Sequence, residues 1–259
     1  MAGEMATNPE SGKVAKFTDY AVVRANETDM RGAVTPASLC NYLQEIAGYH
    51  AEDLGFGIDA MRAKGITWMM SGLHLVIKRQ PMWRERLEIT TWPSGSRGRL
   101  VATRDFLVHD VAGREVLAGV SEWLLVDTTT LKVTRLPGAL LSLVPEGAER
   151  ASVPEAARLS EPEDGSGAEW VERYVVRRCD IDFNQHANNV CYVEWLMEAL
   201  PDSFAERDLA RLDISYRAAA VRGDVVVSTA AAESEKSVIH KIVRAGDNTT
   251  LTLARSVWA

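Results

Sequence analysis

The sequence predicts an α+β protein in which one structural unit occurs twice. A strand, a long helix and a series of strands follow one another in both halves, and a polar segment separates the two runs. Short sequence matches also recur in the same order in each half. For a chain of 259 residues, two domains of ordinary size are the expected organisation.

The matches between the two halves occur in the same order along the chain. Residues 20–24 (YAVVR) resemble residues 174–177 (YVVR), and Asp29 then corresponds to Asp182 with one residue of slippage. The other matches are Tyr42 with Trp195, Leu43 with Leu196, Glu45 with Glu198, residues 84–89 with 222–227, and residues 121–123 with 256–258. A duplicated fold explains this shared order better than generic strand composition does.

Each half contains one well-signalled helix. Thr35 is the expected N-cap of the first, Pro36 suits its first turn, and the helix should end near Gly55. Asn188 or Asn189 is the expected cap of the second. The apolar faces are formed by Leu39, Tyr42, Leu43 and Ile46 in the first helix and by Tyr192, Trp195, Leu196 and Ala199 in the second.

Alternating or continuous apolar runs predict the strands. They cover residues 73–77, 87–91, 106–108, 121–126, 225–229, 238–243 and 251–258. A curved antiparallel sheet wrapped around a long helix is the hot-dog arrangement, so the predicted fold is a tandem hot-dog. The expected divisions are a flexible leader at 1–16, an N-terminal domain at 17–136, a linker at 137–168, exposed by its composition, and a C-terminal domain at 169–259.

Composition narrows the function. Hydrophobic residues make up 46% and charged residues 25%, which is typical of a globular chain. No apolar run is long enough to span a bilayer, so no membrane insertion is expected, and the N-terminus lacks the apolar segment of a signal peptide. Three scattered cysteines favour the cytoplasm. A net charge of -7 argues against nucleic acid as the main partner.

Polar side chains are concentrated in residues 180–189 (DIDFNQHANN), which lead directly into the second helix. Thioester hydrolysis, the reaction of the family that this segment resembles, needs an activated water and a donor that holds the carbonyl oxygen as it gains charge. Asn184 can donate that bond, His186 can polarise or deprotonate water near neutral pH, and Asp182 can orient its neighbours. Backbone N–H groups at the start of the following helix are further candidate donors.

This segment resembles the plant-type acyl-acyl carrier protein (acyl-ACP) thioesterases and their bacterial relatives. The resemblance rests on the Asp-x-Asn-x-His pattern at 182–186 with paired Asn at 188–189, and it extends to residues 43–45 (LQE), 68–83 and 104–108 (RDFLV). It implies a double hot-dog fold and the hydrolysis of fatty acyl-ACP in fatty acid biosynthesis. It also implies that the N-terminal domain shapes the acyl pocket, for which Leu39, Leu43, Trp68, Met69 and Met70 are the candidates.

One departure from the family pattern concerns the base. The family places a Glu, often followed by Cys, shortly after a Tyr-Arg pair, and here Ala219 and Ala220 stand at those positions after Tyr216 and Arg217. His186 or Asp182 must then act as the base, or the activity is low. In the N-terminal half, Asp29, Arg31 and Ala33 occupy the positions of the motif, so that half is catalytically empty.

Several alternatives stay open at this level. The substrate is acyl-ACP or, as an alternative, acyl-coenzyme A, and the loss of the Glu also allows a protein that binds acyl chains or carrier without turnover. No phosphate loop, zinc motif or nucleophile elbow is present, and no cofactor is implied. The oligomeric state is open, with a homodimer among the options.

Isolated histidines, interpreted as structural, are His50, His74, His109 and His240. The candidate carrier-docking cations are Lys78, Arg79, Arg84, Arg86, Arg97, Arg99, Arg217 and Arg222.

Overall fold

The computed structural model describes residues 16–144, 149–155, 159, 161 and 169–259. The helices are α1 (Pro36–Asp53), α2 (Ile58–Arg62), α3 (Gly138–Leu141), α4 (Asn189–Glu198) and α5 (Asp202–Ala205). The strands are β1 (Phe17–Val22), β2 (Ile66–Ile77), β3 (Arg86–Arg97), β4 (Val101–Asp110), β5 (Glu115–Asp127), β6 (Val133–Thr134), β7 (Glu169–Val175), β8 (Leu209–Tyr216), β9 (Val225–Ser234), β10 (Ser237–Arg244) and β11 (Thr249–Trp258). The predicted leader, except Lys16, and much of the predicted linker lie outside the described residues.

Within the described residues, the strands form one antiparallel sheet. Its order is β1-β3-β4-β5-β2-β8-β11-β10-β9-β7, and β6 pairs with β5. The two halves meet where residues 72–76 of β2 pair with residues 211–215 of β8. Because β2 begins at Ile66, the first part of this strand has no β8 partner on that edge. The loop before α4 contacts this uncovered part of β2 through a hydrogen bond between Thr67 and Asn184.

The two long helices form as the sequence predicted. The Thr35 hydroxyl accepts a hydrogen bond from the Ser38 N–H at 3.2 Å, and α1 ends just before Gly55, whose φ of 74° is readily adopted by glycine. Asn188 is the cap of α4, with its Oδ1 accepting from the Val190 N–H at 3.0 Å. Helix α1 packs on β1 and β3, α4 packs on β7, β9 and β10, and the helices contact each other. The predicted tandem hot-dog fold is confirmed.

Equivalent side-chain bonds recur in the two halves. The indole Nε1 of Trp123 donates to the Ser121 hydroxyl at 2.7 Å, and Trp258 Nε1 donates to the Ser256 hydroxyl at 2.9 Å. The sequence matches at residues 121–123 and 256–258 thus correspond to one local structure that occurs twice.

The sequence missed or misjudged some elements. The apolar runs did not include β8, and they predicted only the second half of β2. Part of the predicted exposed linker is not exposed, because Ala151 is buried and its N–H donates to Asp105 Oδ2 at 2.7 Å. Asp105 is fully buried, and a buried carboxylate needs such donors. No described helix has the length and apolar character needed to cross a bilayer.

A cluster of charges ties the halves together where β2 meets β8. We call it the seam cluster; it consists of His74, Arg97, Glu122, Arg211 and Asp213. His74 Nδ1 lies 3.0 Å from Asp213 Oδ1, and its Nε2 lies 3.5 Å from Glu122 Oε1. Arg97 pairs with Glu122 at 2.6 Å, and Arg211 pairs with Asp213 at 2.7 Å. His74 is isolated in the sequence, but in the fold it lies between two carboxylates.

Candidate active site

The loop at residues 182–186 is a tight turn closed by its own backbone. The Asp182 N–H donates to the His186 carbonyl at 2.8 Å, and Asp182 Oδ1 accepts from the Asn184 N–H at 2.8 Å. Gln185 has a φ of 64°, the left-handed conformation that residues other than glycine rarely adopt. Asn184 and His186 are therefore held on a short, internally bonded loop.

The same turn exists in the N-terminal half. The Asp29 N–H donates to the Ala33 carbonyl at 2.8 Å, Asp29 Oδ1 accepts from the Arg31 N–H at 2.8 Å, and Gly32 has a φ of 77°. The carboxylate at the first position therefore closes the turn even in the half that lacks the amide and the imidazole. From this comparison we infer that Asp182 holds the loop in shape.

Asn184 is oriented by the opposite half of the protein. Its Oδ1 accepts a hydrogen bond from the Thr67 hydroxyl at 2.8 Å, and Thr67 is a buried residue of β2. With the amide oxygen engaged, Nδ2 is the group that remains able to donate, and no described residue accepts from it. This is the chemistry required of an oxyanion donor.

His186 is half-buried and has an unused ring nitrogen. Its Nδ1 is buried and has no hydrogen-bond partner within the described residues. The next residue, Ala187, donates its N–H to the Ala220 carbonyl at 2.9 Å. The start of the segment after β8 is therefore directly beside the loop.

The predicted donors at the start of α4 are already occupied. The Val190 N–H bonds to Asn188 Oδ1 and the Cys191 N–H bonds to the Asn188 carbonyl at 2.9 Å, so the expectation that they face an oxyanion is wrong. These two N–H groups are used in capping α4, where they donate to Asn188. Gln44 of α1 also contacts this end, with Nε2 3.3 Å from Asn188 Oδ1 and Oε1 3.4 Å from Asn189 Nδ2.

A narrow crevice lies between α1, α4 and the sheet, beside the start of α4. Its lining comprises Cys40, Leu43, Gln44, Met70, Leu73, Phe106, Ser121, Trp123, Asn189, Val190 and Tyr216. Of the residues predicted to contact an acyl chain, Leu43 and Met70 line it, and Trp68 packs edge-on against Trp123 at 6.4 Å. Leu39 is buried in the core and, like Met69, does not line this crevice.

Sequence reasoning assigned no role to three polar side chains of this crevice, those of Gln44, Ser121 and Trp123. Gln44 follows Cys40 by one helical turn and precedes Ala47 on the buried side of α1, so an amide among apolar positions was the available signal. Ser121 and Trp123, on β5, carry no comparable signal, since the pattern within one strand does not reveal which residues of other elements lie beside them.

The thiols near the crevice are unreactive in this setting. Burial raises the pKa of Cys40 to about 12, and burial, assisted by the charge of Glu194, raises the pKa of Cys191 to about 12. Both sulfurs therefore stay protonated at neutral pH, and a thiol is a poor nucleophile. Cys191 is therefore a buried packing residue of α4.

Ala219 lies where the family pattern has a carboxylate. Its carbonyl accepts from Arg244 Nη2 at 2.7 Å, and the next N–H, of Ala220, donates to the Tyr192 hydroxyl at 2.8 Å. No side chain at this position can act as a base. Of the two groups the sequence offered instead, Asp182 is engaged in closing the turn and His186 has the free nitrogen.

The fold is a tandem hot-dog, and the comparisons with known proteins give the class of this protein as a thioester hydrolase. Residues 14–143 match the family model described as the acyl-ACP thioesterase N-terminal domain, and residues 165–259 match the model of the acyl-ACP thioesterase C-terminal domain. The chain belongs to the acyl-ACP thioesterase family, a family of thioester hydrolases.

Curated relatives include chloroplastic plant enzymes. The oleoyl-acyl carrier protein thioesterase 2 of Arabidopsis thaliana is 28% identical over 254 residues, which are 90% of this chain and 68% of the relative. The oleoyl-acyl carrier protein thioesterase of Coriandrum sativum is 30% identical over 245 residues, with 88% and 66% covered. The chain thus spans about two thirds of the length of these relatives.

Solved structures share the fold along almost the whole chain. An acyl-ACP thioesterase from Bacteroides thetaiotaomicron superposes with a TM-score of 0.83 at 23% identity, covering 94% of this chain and 98% of the other. The 12:0-ACP thioesterase from Umbellularia californica gives 0.84 at 24% identity, with 94% and 97% covered. The sequence-based expectations of fold, family and enzyme class are confirmed.

Proposed function

We propose that the protein hydrolyses fatty acyl-ACP to free fatty acid and holo-ACP in fatty acid biosynthesis, with Asn184 and His186 as the catalytic residues. The observation that carries the proposal is the state of the 182–186 loop. An amide whose oxygen is engaged and an imidazole with an unused nitrogen lie on one internally bonded turn, and an apolar crevice lies beside the start of the helix that follows this turn. Asp182 is proposed to keep this turn in shape.

The reaction is a direct hydrolysis. His186 removes a proton from water as the water oxygen adds to the carbonyl carbon, and Asn184 Nδ2 donates to the carbonyl oxygen, which becomes an oxyanion. The carbonyl then re-forms, the C–S bond breaks, and His186 returns the proton to the leaving sulfur. Water and thioester thus give one carboxylic acid and one thiol, with no covalent enzyme intermediate.

The crevice is the proposed site of the acyl chain. Leu43 and Met70 line it, and Trp68 supports its aromatic wall through Trp123. Leu39 and Met69, predicted for the same role, would act on chain length through packing around the crevice. The crevice is narrow, so a long acyl chain must displace these side chains to enter, and we expect chain length to be limited by how far they can move.

Exposed cations around the loop support a carrier protein as the substrate donor. Arg62 donates to the Phe183 carbonyl, Lys64 follows two residues later, and Arg222 follows the segment that contacts Ala187. Together with Arg178, which precedes the loop, they have no carboxylate partner within the described residues, whereas Lys78, Arg79 and Arg97 of the predicted docking set are engaged in ion pairs. An acidic carrier would be attracted to the loop by these groups.

The salt dependence of the rate separates the two substrate classes. With acyl-ACP, kcat/KM should fall steeply as the salt concentration rises, since a charged surface is screened within a Debye length of about 10 Å at 0.1 M. With the acyl-coenzyme A of the same chain, the fall should be smaller. Replacing Arg62 and Arg222 together by Gln should flatten the response to acyl-ACP, while the ion-paired Lys78→Gln serves as the control. Equal salt responses for both substrates would count against carrier docking.

The catalytic assignment is tested by Asn184→Ala and His186→Ala. Each should lower the rate of thiol release by about 100-fold or more, because an oxyanion donor or a general base is lost. Asn41→Ala, at an exposed position of α1, is the matched control and should leave the rate unchanged. If both variants stay within about threefold of the wild type while folded, the assignment is wrong.

A second candidate is binding without turnover, which the missing carboxylate at Ala219 favours. Saturable binding of acyl-ACP with no thiol release above that of heat-inactivated protein would support it.

We also propose a cytoplasmic location, in keeping with cysteines that are free thiols in the structure.

A further inference from the structure

The equivalent turns of the two halves each reach across to the opposite half. In the N-terminal turn, Arg31 Nη1 donates to the Glu206 carbonyl at 2.8 Å and to Asp208 Oδ1 at 3.0 Å, just before β8 begins. In the C-terminal turn, Asn184 Oδ1 accepts from Thr67 at the start of β2. Strands β2 and β8 correspond, each being the first strand after a long helix. The same position of the turn therefore makes the cross-contact in both halves.

The two cross-contacts differ in what they leave free. Arg31 uses its guanidinium in ion pairs and hydrogen bonds, which hold the N-terminal turn to the segment before β8. Asn184 uses only its amide oxygen, so the amide nitrogen is still available. From this difference we propose that Thr67 is a positioning residue, whose hydroxyl fixes the Asn184 amide so that Nδ2 points to the substrate carbonyl oxygen. The inference rests on the proposed function of Asn184 as the oxyanion donor.

The burial of Thr67 explains why the amide keeps this orientation. Thr67 is 9% exposed, and within the described residues its hydroxyl donates to Asn184 Oδ1 alone. If the amide rotated by half a turn, Nδ2 would donate to the hydroxyl, and the hydroxyl proton would be buried without an acceptor. A buried unsatisfied donor is costly, so the orientation with Nδ2 free is preferred.

The position of Thr67 in the strand allows the contact. The pairing of β2 with β8 starts only at Gly72, and the register of β2 shifts between Met70 and Gly72. The edge at Thr67 is thus open to the loop from the other half. The active site is composite, since each half supplies a group that the other lacks.

The test is a set of Thr67 variants assayed on acyl-ACP in the full-length protein. Thr67→Val keeps the shape and removes the hydroxyl; we expect kcat to fall about tenfold, the factor that corresponds to one hydrogen bond, with KM unchanged. Thr67→Ser restores the hydroxyl and should recover kcat to within about twofold. In an Asn184→Ala background, Thr67→Val should have no further effect on kcat, because the amide it positions is absent.

A matched control separates positioning from stability. Thr103 is also a buried strand threonine, and its hydroxyl bonds to Ser94 Oγ at 3.1 Å, so Thr103→Val should lower the unfolding temperature without changing kcat. An inactive Thr67→Val that Ser does not rescue, a kcat equal to the wild type, or full additivity with Asn184→Ala would each overturn the inference. If Asn184→Ala itself is fully active, the proposed role of Asn184 as the oxyanion donor falls instead, so the two failures are distinguishable.

Discussion

The seam cluster predicts a stability that depends on pH. Burial by itself lowers the pKa of His74, but its bonds to Asp213 and Glu122 outweigh burial and raise the pKa to about 9. The same contacts contribute to lowering the pKa of both carboxylates, although burial opposes this shift. In the unfolded chain His74 titrates near its ordinary value of 6.5. The folded state therefore binds the proton more tightly than the unfolded state does.

The size of the effect follows from the two pKa values. A change from 6.5 to about 9 corresponds to about 3 kcal/mol, since each factor of ten in proton affinity is about 1.4 kcal/mol. The side chain is only 13% exposed, so solvent screening reduces this value modestly. Because the folded pKa is raised, the stabilisation is fully present below pH 6.5 and is lost as the pH rises through about 9.

The assay compares wild type with His74→Gln by urea unfolding at several pH values between 6 and 10. At the acidic end the variant should be less stable by about 3 kcal/mol, and the gap should close as the pH rises through about 9. Taking the difference cancels other groups that titrate in this range. A gap that stays constant with pH would refute the charge-based reasoning and leave only packing.

Three further outcomes are expected. Ala219→Glu restores a carboxylate beside the loop and should raise thiol release about tenfold or more; no gain in a folded variant would mean that His186 already suffices. Gln185→Gly should raise the free energy of unfolding by about 0.5 to 1 kcal/mol, since relief of the left-handed φ exceeds the added chain entropy, and Gly32→Gln should lower it. Equal unfolding midpoints would contradict this. Asp105→Asn should cost about 2 kcal/mol and speed proteolysis near residues 149–155, because the fully buried carboxylate holds Arg150 and Ala151 there; unchanged cleavage would argue against that role.

Local patterns in the sequence were enough to determine the elements and the class of the protein. The cap at Thr35, the helix end near Gly55 and the choice of Asn188 or Asn189 as the second cap all depend on residues a few positions apart, and the structure agrees with each. The match between Asp29 and Asp182 also held, as the two turns have the same hydrogen bonds. The motif at 182–186 was sufficient to predict the family.

Only the tertiary structure decided which groups meet across the seam. Thr67 and Asn184, like His74 and Asp213, are more than a hundred positions apart. His74 meets Asp213 where β2 pairs with β8, and Asn184 reaches Thr67 where β2 extends beyond that pairing. Periodicity and capping signals act over a few residues, so they carry no information about that register. The same reason explains the burial of Ala151, since a polar composition does not reveal that its N–H will reach the carboxylate of the buried Asp105 in β4.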